Sequence, residues 1–405
     1  MESEISDSKG GEGMSLNETP SGNRIHIGFF GCRNAGKSSL VNKLTNQLVS
    51  VVSDVLGTTT DPVTKSMELL PLGPVVIIDT PGYDDEGNLG EKRISRTKQI
   101  LNKTDIAVLV VDATADISEF DKELIKAFED RNIPYIKVYN KCDAISVREE
   151  DKIYVSAETG EGVNELKNKI AGTLKKKEEI PIVSDMIENG DIILLVVPID
   201  ESAPKGRLIL PQQQTIRDIL DKGGISIAVK DTELPEAIEK FKDNIKLVIT
   251  DSQVFKKVAE IIPDDMALTS FSILMARHKG FLEFAKEGVY AIDKLEDGDN
   301  VLIAEGCTHH RQCGDIGSVK IPAMLKKRTG KNLVIETSSG MGFPDDLSEY
   351  SLIIHCGGCM LSEREVLYRM KCAREAGVPV TNYGTAIAYV NGIFERSIKP
   401  LKEFC

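Results

Sequence analysis

The 405-residue sequence is short of positive charge, of long apolar runs and of aromatic residues, and it has no tryptophan. Lys and Arg number 50 against 63 Asp and Glu, a formal net charge of −13. That balance argues against broad electrostatic binding to nucleic acid or to an anionic membrane, while leaving room for a local basic patch. The longest apolar run, Ile192 to Ile199, is far short of the ~20 residues that a membrane helix needs. The first 23 residues are acidic and polar with no apolar centre, so they do not read as a signal peptide, and a cytoplasmic chain is expected. There is no internal repeat.

What is present is an ordinary globular composition, 41% hydrophobic and 28% charged. At about 150 residues per domain the length suggests two or three domains. Eight cysteines occur, six of them after position 300. In a reducing compartment such a cluster points to metal binding or catalysis rather than to disulfides.

Periodicity divides the chain into a flexible tail (1–23) and three units (24–177, 178–262 and 263–405). In each unit strands alternate with amphipathic helices, the pattern of mostly parallel sheets covered on both faces. The expected class is therefore α/β, with a nucleotide-binding domain followed by two further α/β domains. The pattern over Met266–His278 and Phe281–Lys294 predicts two helices opening the third unit, and the lysine- and glutamate-rich run 175–179 before Pro181 marks the first boundary.

The first predicted strand ends in Gly31-Cys32-Arg33-Asn34-Ala35-Gly36-Lys37-Ser38, followed at once by a helix. This is the phosphate-binding loop pattern in its proper strand–loop–helix setting. Its backbone N–H groups, with the positive end of the helix, cradle phosphate oxygens. Gly31, Asn34, Ala35, Gly36, Lys37, Ser38 and Ser39 form this binding set, with Lys37 reaching the β- and γ-phosphates and Ser38 ligating Mg²⁺.

Three later strands end in matching motifs. Asp79-Thr80-Pro81-Gly82 offers a carboxylate to Mg²⁺ through water and the Gly82 N–H to the γ-phosphate. Asn140-Lys141-Cys142-Asp143 offers a two-pronged acceptor, Asp143, to the adjacent N1–H and N2–H donors of guanine. Adenine lacks that pair, so the site reads as one for GTP and GDP. Ser156-Ala157 offers backbone N–H groups to the guanine O6.

With Gly57-Thr58-Thr59-Thr60-Asp61 between the phosphate loop helix and the next strand, the domain resembles GTPases of the TrmE–Era branch. The resemblance implies that Thr59 closes onto Mg²⁺ and the γ-phosphate. Tyr83 stands where Ras-like GTPases carry a water-orienting glutamine, so slow intrinsic hydrolysis is expected. Asn34 stands where potassium-dependent members carry an asparagine, which implies K⁺ stimulation. The catalytic set is then Lys37, Thr59 and Asn34.

The second constellation is built on sulfur. Predicted strands over 301–304 and 352–355 run into Cys307-Thr308-His309 and into Cys356-Gly357-Gly358-Cys359, with His355 just before. Ligands of open α/β sheets collect at such strand ends. There is no second C-x-x-C. A structural zinc site closes with four ligands, whereas a [4Fe–4S] cluster on three thiolates, Cys307, Cys356 and Cys359, leaves one iron open. His309, His355, Glu305, Cys313 or an exogenous group are candidates for the fourth place.

A GTPase followed by a middle α/β unit and this C-x-H…H-C-x-x-C pattern resembles the HydF family, the GTPases of [FeFe]-hydrogenase maturation. The resemblance implies a dimerization domain over 178–262 and a [4Fe–4S]-binding domain over 263–405. It implies a scaffold that carries the di-iron precursor of the hydrogenase active site, and a homo-oligomer, dimer or tetramer. Two radical-SAM maturases and the apo-hydrogenase are its implied partners, with no nucleic acid or membrane among them. The competing reading is an RNA- or ribosome-associated GTPase with structural zinc, which the acidic charge opposes.

Overall fold

The computed structural model describes residues 19, 21–46, 51–55, 63–80, 97, 99–174, 180–199, 208–306, 315–340 and 342–402. The expected positions Thr59, Gly82, Tyr83, Cys307, His309 and Cys313 lie outside these residues, as does the run 175–179.

Three sheets follow one another along the chain. The first has the order β2 (Val51–Val55), β3 (Val63–Leu69), β4 (Gly73–Asp79), β1 (Ile25–Phe30), β5 (Ile106–Asp112), β6 (Tyr135–Asn140), β7 (Ile153–Tyr154). It is parallel from β4 to β7, and β3 runs antiparallel to both β2 and β4. Near-continuous apolar strands such as Ile106–Val111 are what a sheet covered on both faces requires. Helix α1 (Lys37–Asn46) packs on one face, with Leu40 and Leu44 against Ile27 and Ile77. Helices α2 (described over residues 99–103) and α3 (Glu119–Asp130) pack on the other, with Leu101 and Phe128 against Phe30 and Ile78. Helix α4 (Val163–Thr173) completes the domain.

The second sheet is parallel throughout, in the order β11 (Leu268–Ser270), β10 (Ile245–Thr250), β8 (Ile192–Val196), β9 (Ile225–Val229). Its helices are α5 (Leu210–Lys222), α6 (Leu234–Phe241) and α7 (Phe255–Ile261). The third sheet is also parallel, in the order β13 (Val334–Ser339), β12 (Asn300–Glu305), β14 (Tyr350–His355), β15 (Val380–Asn382). Around it lie α8 (Phe271–His278), α9 (Leu282–Gly288), α10 (Ile321–Thr329), α11 (Glu363–Glu375), α12 (Tyr383–Val390) and α13 (Phe394–Ile398). Among the described residues no helix is long and apolar enough to cross a membrane.

Three features depart from the periodicity. The helix expected from Met266 begins only at Phe271, because Leu268–Ser270 pairs with Val248–Thr250 as a sheet edge. Ser270 then caps α8, its hydroxyl accepting from the Ile273 N–H. The second sheet thus draws a strand from beyond residue 262. Its core is continuous with that of the third sheet, from Ile182 through Phe255 and Phe281 to Leu401.

The expected tail 1–23 also ends in structure. Ser21–Asn23 forms a 3₁₀ turn in which Gly22 is buried. The Lys279 ammonium, at the end of α8, donates to the Gly22 carbonyl (3.0 Å) and to Asn23 Oδ1 (3.4 Å). A Cβ at Gly22 would stand 2.6 Å from the Leu361 carbonyl oxygen and 2.7 Å from that of Cys359. Both are backbone atoms and cannot rotate away. Gly22→Val is therefore expected to push this turn off the 359–361 segment at a cost of about 1–3 kcal/mol, the usual scale of overpacking. Faster amide exchange in peptides covering 21–24 and 359–361, with the core of the first sheet unchanged, is the expected readout.

Candidate functional site

The GTP motifs converge at the carboxyl ends of β1, β4 and β6. The shape of the phosphate loop is dictated by close approaches. Gly31 has φ +136°, and a Cβ there would meet the Val110 carbonyl oxygen at 2.2 Å. Gly36 has φ +85°, and a Cβ would meet Asn140 Nδ2 at 2.1 Å. Asn34 is left-handed at φ +62°, a conformation that Asn tolerates better than most residues. Asn140 links two loops: its Nδ2 donates to the Ala35 carbonyl (2.8 Å), and its Oδ1 accepts from the Ala157 N–H (3.0 Å). The loop expected to contact phosphate and the loop expected to contact guanine are thereby fixed to one strand end.

Lys37 is buried, with its ammonium donating to the Gly31 (2.9 Å) and Cys32 (2.7 Å) carbonyls. Both partners belong to its own loop. Ser38 and Ser39 are exposed at the helix start. Lys141 takes a left-handed φ of +66° and pairs with Asp112 at 2.5 Å, leaving Asp143 exposed on the following turn. Ser156 is fully buried, and its hydroxyl accepts from the Thr159 N–H at 3.1 Å.

Asp79 shows where a cation belongs. Burial raises its carboxyl above the ordinary range, against a hydrogen bond from Ser38 and the charges of Lys37 and Lys65. Its Oδ1 is buried and has no partner. A buried carboxylate oxygen without a donor, beside a serine hydroxyl, fits the oxygen-only coordination of Mg²⁺.

The cysteine pair sits at the matching end of the third sheet. β12 and β14 are parallel neighbours with Ala304 opposite His355, so residues 306 and 356 leave adjacent strand ends. The Cys356 N–H donates to the Ala304 carbonyl at 2.9 Å. Cys356 Sγ accepts from the N–H groups of Gly306 (3.1 Å) and Gly358 (3.4 Å). Two backbone donors aimed at one sulfur favour its thiolate, the ligand form. Burial works the other way and lifts both thiols. Cys359 is pushed up to about 12 by burial and then by the neighbouring Cys356. A thiolate pair here therefore needs a bound cation to offset its desolvation. Among the described residues no three metal-ligating side chains gather, and Cys307 lies just past the last described residue of β12's exit.

His355, a candidate ligand, is fully buried, and its ring is already engaged at both nitrogens. Nδ1 lies 2.7 Å from the Cys356 carbonyl oxygen and Nε2 lies 3.2 Å from Arg369 Nη1. A guanidinium only donates, so Nε2 accepts and Nδ1 carries the proton to the Cys356 carbonyl. Burial, then the Arg369 charge, lowers the imidazole to about 3, so it stays neutral. Glu305 is also buried and accepts a hydrogen bond from the Tyr383 hydroxyl at 3.1 Å.

Arg369 and Tyr383 were not flagged by the sequence, since neither lies in a motif. The only local trace of Arg369 is its i,i+4 spacing from Glu365 on α11. The remaining site geometry generates one direct expectation. Asn140→Ala removes both loop-bracing hydrogen bonds, each worth about 0.5–1.5 kcal/mol, so GDP affinity should fall about tenfold by calorimetry while Mg²⁺ dependence is retained.

Three family models match the chain. They are described as 50S ribosome-binding GTPase (residues 26–141), hydrogen maturase F dimerization domain (182–280) and hydrogen maturase F tetramerization domain (283–400). Among curated proteins, the tRNA modification GTPase MnmE of Thermosipho melanesiensis is 33% identical over 177 residues, covering 43% of this chain and 40% of that protein. GTPase Der of Wolinella succinogenes is 37% identical over 178 residues, covering 43% of this chain and 34% of that one. The chain thus spans well under two thirds of these relatives. Among solved structures, Era of Aquifex aeolicus bound to GDP and aluminium fluoride aligns with TM-score 0.32 and 21% identity, over 53% of this chain and 97% of that one. The first domain is accordingly a GTPase that takes GTP or GDP with Mg²⁺, and the two domains behind it are named for self-association, so the chain is a homo-oligomer. With both hydrogen maturase F domains in sequence behind a GTPase domain, the chain belongs to the HydF family of hydrogenase maturases.

Proposed function

We propose that this protein is a GTP-hydrolysing scaffold that holds a [4Fe–4S] cluster on Cys307, Cys356 and Cys359 and carries the di-iron subcluster of the [FeFe]-hydrogenase to its apo-enzyme. The observation that carries the reading is the paired strand exit at 306 and 356, with two backbone N–H groups aimed at Cys356 Sγ. When bound, the cluster would supply one iron without a protein thiolate, a place for an exchangeable ligand. The two radical-SAM maturases and the hydrogenase are the partners, in the cytoplasm. The two maturase-type domains favour this reading over an RNA-associated GTPase with structural zinc.

In the GTPase domain, the phosphate loop and Lys37 hold the β- and γ-phosphates, and Ser38, Thr59 and Asp79 hold Mg²⁺. Asp143 selects guanine. With Tyr83 in place of a glutamine, no side chain of that motif orients the attacking water. Asn34, held left-handed in the phosphate loop, would help place a K⁺ between phosphates. Thr59 and Gly82, which would both touch the γ-phosphate, make the domain a switch that orders on GTP and relaxes on hydrolysis.

Two outcomes are expected. Anaerobic reconstitution with iron and sulfide should give a reducible 4Fe EPR signal that is lost in Cys307→Ser, Cys356→Ser or Cys359→Ser; stoichiometric zinc without a cluster would falsify the scaffold reading. GTP turnover should be about a hundredfold faster in KCl than in NaCl, and Asn34→Ala should abolish the difference, in line with the usual scale of charge stabilisation at a transferring phosphoryl group. Equal rates in the two salts remove K⁺ from the account.

A further inference from the structure

Helix α11 faces two ways. One side meets the GTPase domain. Arg364 donates from Nη1 to the Arg131 carbonyl (3.2 Å) and from Nη2 to the Asn132 carbonyl (3.1 Å), just past the end of α3. A helix leaves its last carbonyls without intrahelical partners, so this is a natural docking point for a guanidinium. Beside it Lys103, at the end of α2, lies in the field of Glu365, and Tyr368 and Asn102 line one cavity. A cavity of only about 40 Å³ remains in the seam, lined by Gln99 and Asn102 from one side and by Phe343, Tyr368 and Arg369 from the other.

The other side of α11 meets the cysteine loop. Arg369 is 2% exposed. Its Nη2 donates to Glu365 Oε1 (2.7 Å) and to the Gly340 carbonyl (2.6 Å), and its Nη1 donates to His355 Nε2 (3.2 Å). His355 in turn holds the carbonyl of Cys356. The guanidinium also lies over the Phe343 ring, 5.0 Å from its centroid. The chain of contacts runs through Glu365, Arg369, His355 and Cys356. Glu365, Arg369 and His355 are buried polar groups, where losing a partner is costly.

We infer that Arg369 is a positioning residue that ties the GTPase-facing side of α11 to the backbone of Cys356, so that the docked GTPase domain holds the cysteine loop in its ligand-presenting form. Glu365 is the pivot, because it lines the seam cavity opposite Gln99 and Asn102 and holds Arg369 within α11. When the GTPase domain lifts off α11, Glu365 loses the cover of Gln99 and Asn102 and gains water. Its hold on Arg369 weakens, and His355 loses the donor that keeps Nε2 occupied and the proton on Nδ1. The loop 355–359 then loosens without any change in its own sequence or in the strand below it. This inference rests on Cys356 being a cluster ligand only for its consequence. The coupling itself is a property of the metal-free chain.

The test therefore uses the full-length metal-free protein and two readouts, amide exchange over residues 353–361 and the histidine tautomer seen in long-range ¹H–¹⁵N spectra, with His355 assigned by His355→Gln. Arg364→Ala touches neither His355 nor Cys356. It should nevertheless speed exchange over 353–361 by about threefold or more, a shift of the size expected for a destabilised local opening, with β12 unchanged. Arg369→Met should speed it further and abolish the Nδ1–H signature of His355. Arg369→Lys should recover part of the protection by keeping a cation beside Glu365. If Arg364→Ala leaves both readouts at the wild-type level, the docked domain does not act on the loop. If Arg369→Met leaves them so, Arg369 does not position His355. Should Arg369→Met not fold, Glu365→Gln reads the same link, and wild-type exchange in that variant overturns the inference. Failure of the cluster reading appears separately, as absence of iron in protein whose loop still responds to Arg364→Ala.

Discussion

Everything proposed for the sulfur site depends on one pairing, that of β12 with β14. Residues 306 and 356 are far apart in the chain, and only the parallel register that sets Ala304 beside His355 brings their strand ends together. The same register lets the Gly306 N–H reach Cys356 Sγ and the Cys356 N–H reach the Ala304 carbonyl. A slip of one residue would turn every side chain of β14 to the other face and take the cysteine out of reach of the Gly306 donor. The buried, apolar Leu352–Ile354 run, locked between β12 and β15, opposes such a slip.

Electrostatics gives the cradle its chemical direction. Partly buried against the apolar core, these thiols prefer to stay protonated, and the backbone donors to Cys356 only partly offset that preference. A loop built to hold sulfur in an apolar setting is stable as thiolates when a multivalent metal centre supplies the missing positive charge. The GTP site shows the complementary arrangement. Asp79 keeps a buried oxygen without a donor, in the field of Lys37 and Lys65, and a cation fits there. The two sites are alike in being incomplete without their inorganic partners, and α11 joins the cysteine loop to the end of α3.

Much of this was legible from sequence because the GTP motifs are local. Each follows its own strand, so recognising the strand places the motif, and the bracing role of Asn140 follows from its amide having a donor and an acceptor to offer. The alternating pattern likewise pointed to mostly parallel sheets behind the GTPase domain. Features that depend on distant partners were not legible. Leu268–Ser270 is apolar enough for helix or strand, and only β10 decides between them. Gly22 looks like part of a polar tail until the 359–361 backbone closes over it. Arg369 looks like one more charge on an amphipathic helix. Its task is set by His355 on a strand and by Glu365 one turn earlier, and the 100°-per-residue pattern of α11 carries no trace of either contact. His355 itself was read from its motif as a possible ligand, while its hydrogen bonds cast it as a brace for the Cys356 carbonyl.

The central claim is that the exits of β12 and β14 hold an iron–sulfur cluster on three cysteines. Anomalous diffraction at the iron edge, from crystals of anaerobically reconstituted protein, tests it most directly. The account predicts a compact four-iron peak bonded to Cys356 and Cys359 and to Cys307, with one iron bearing no cysteine. A lone metal ion at the loop, or iron bound elsewhere with Cys356 and Cys359 unligated, would contradict it.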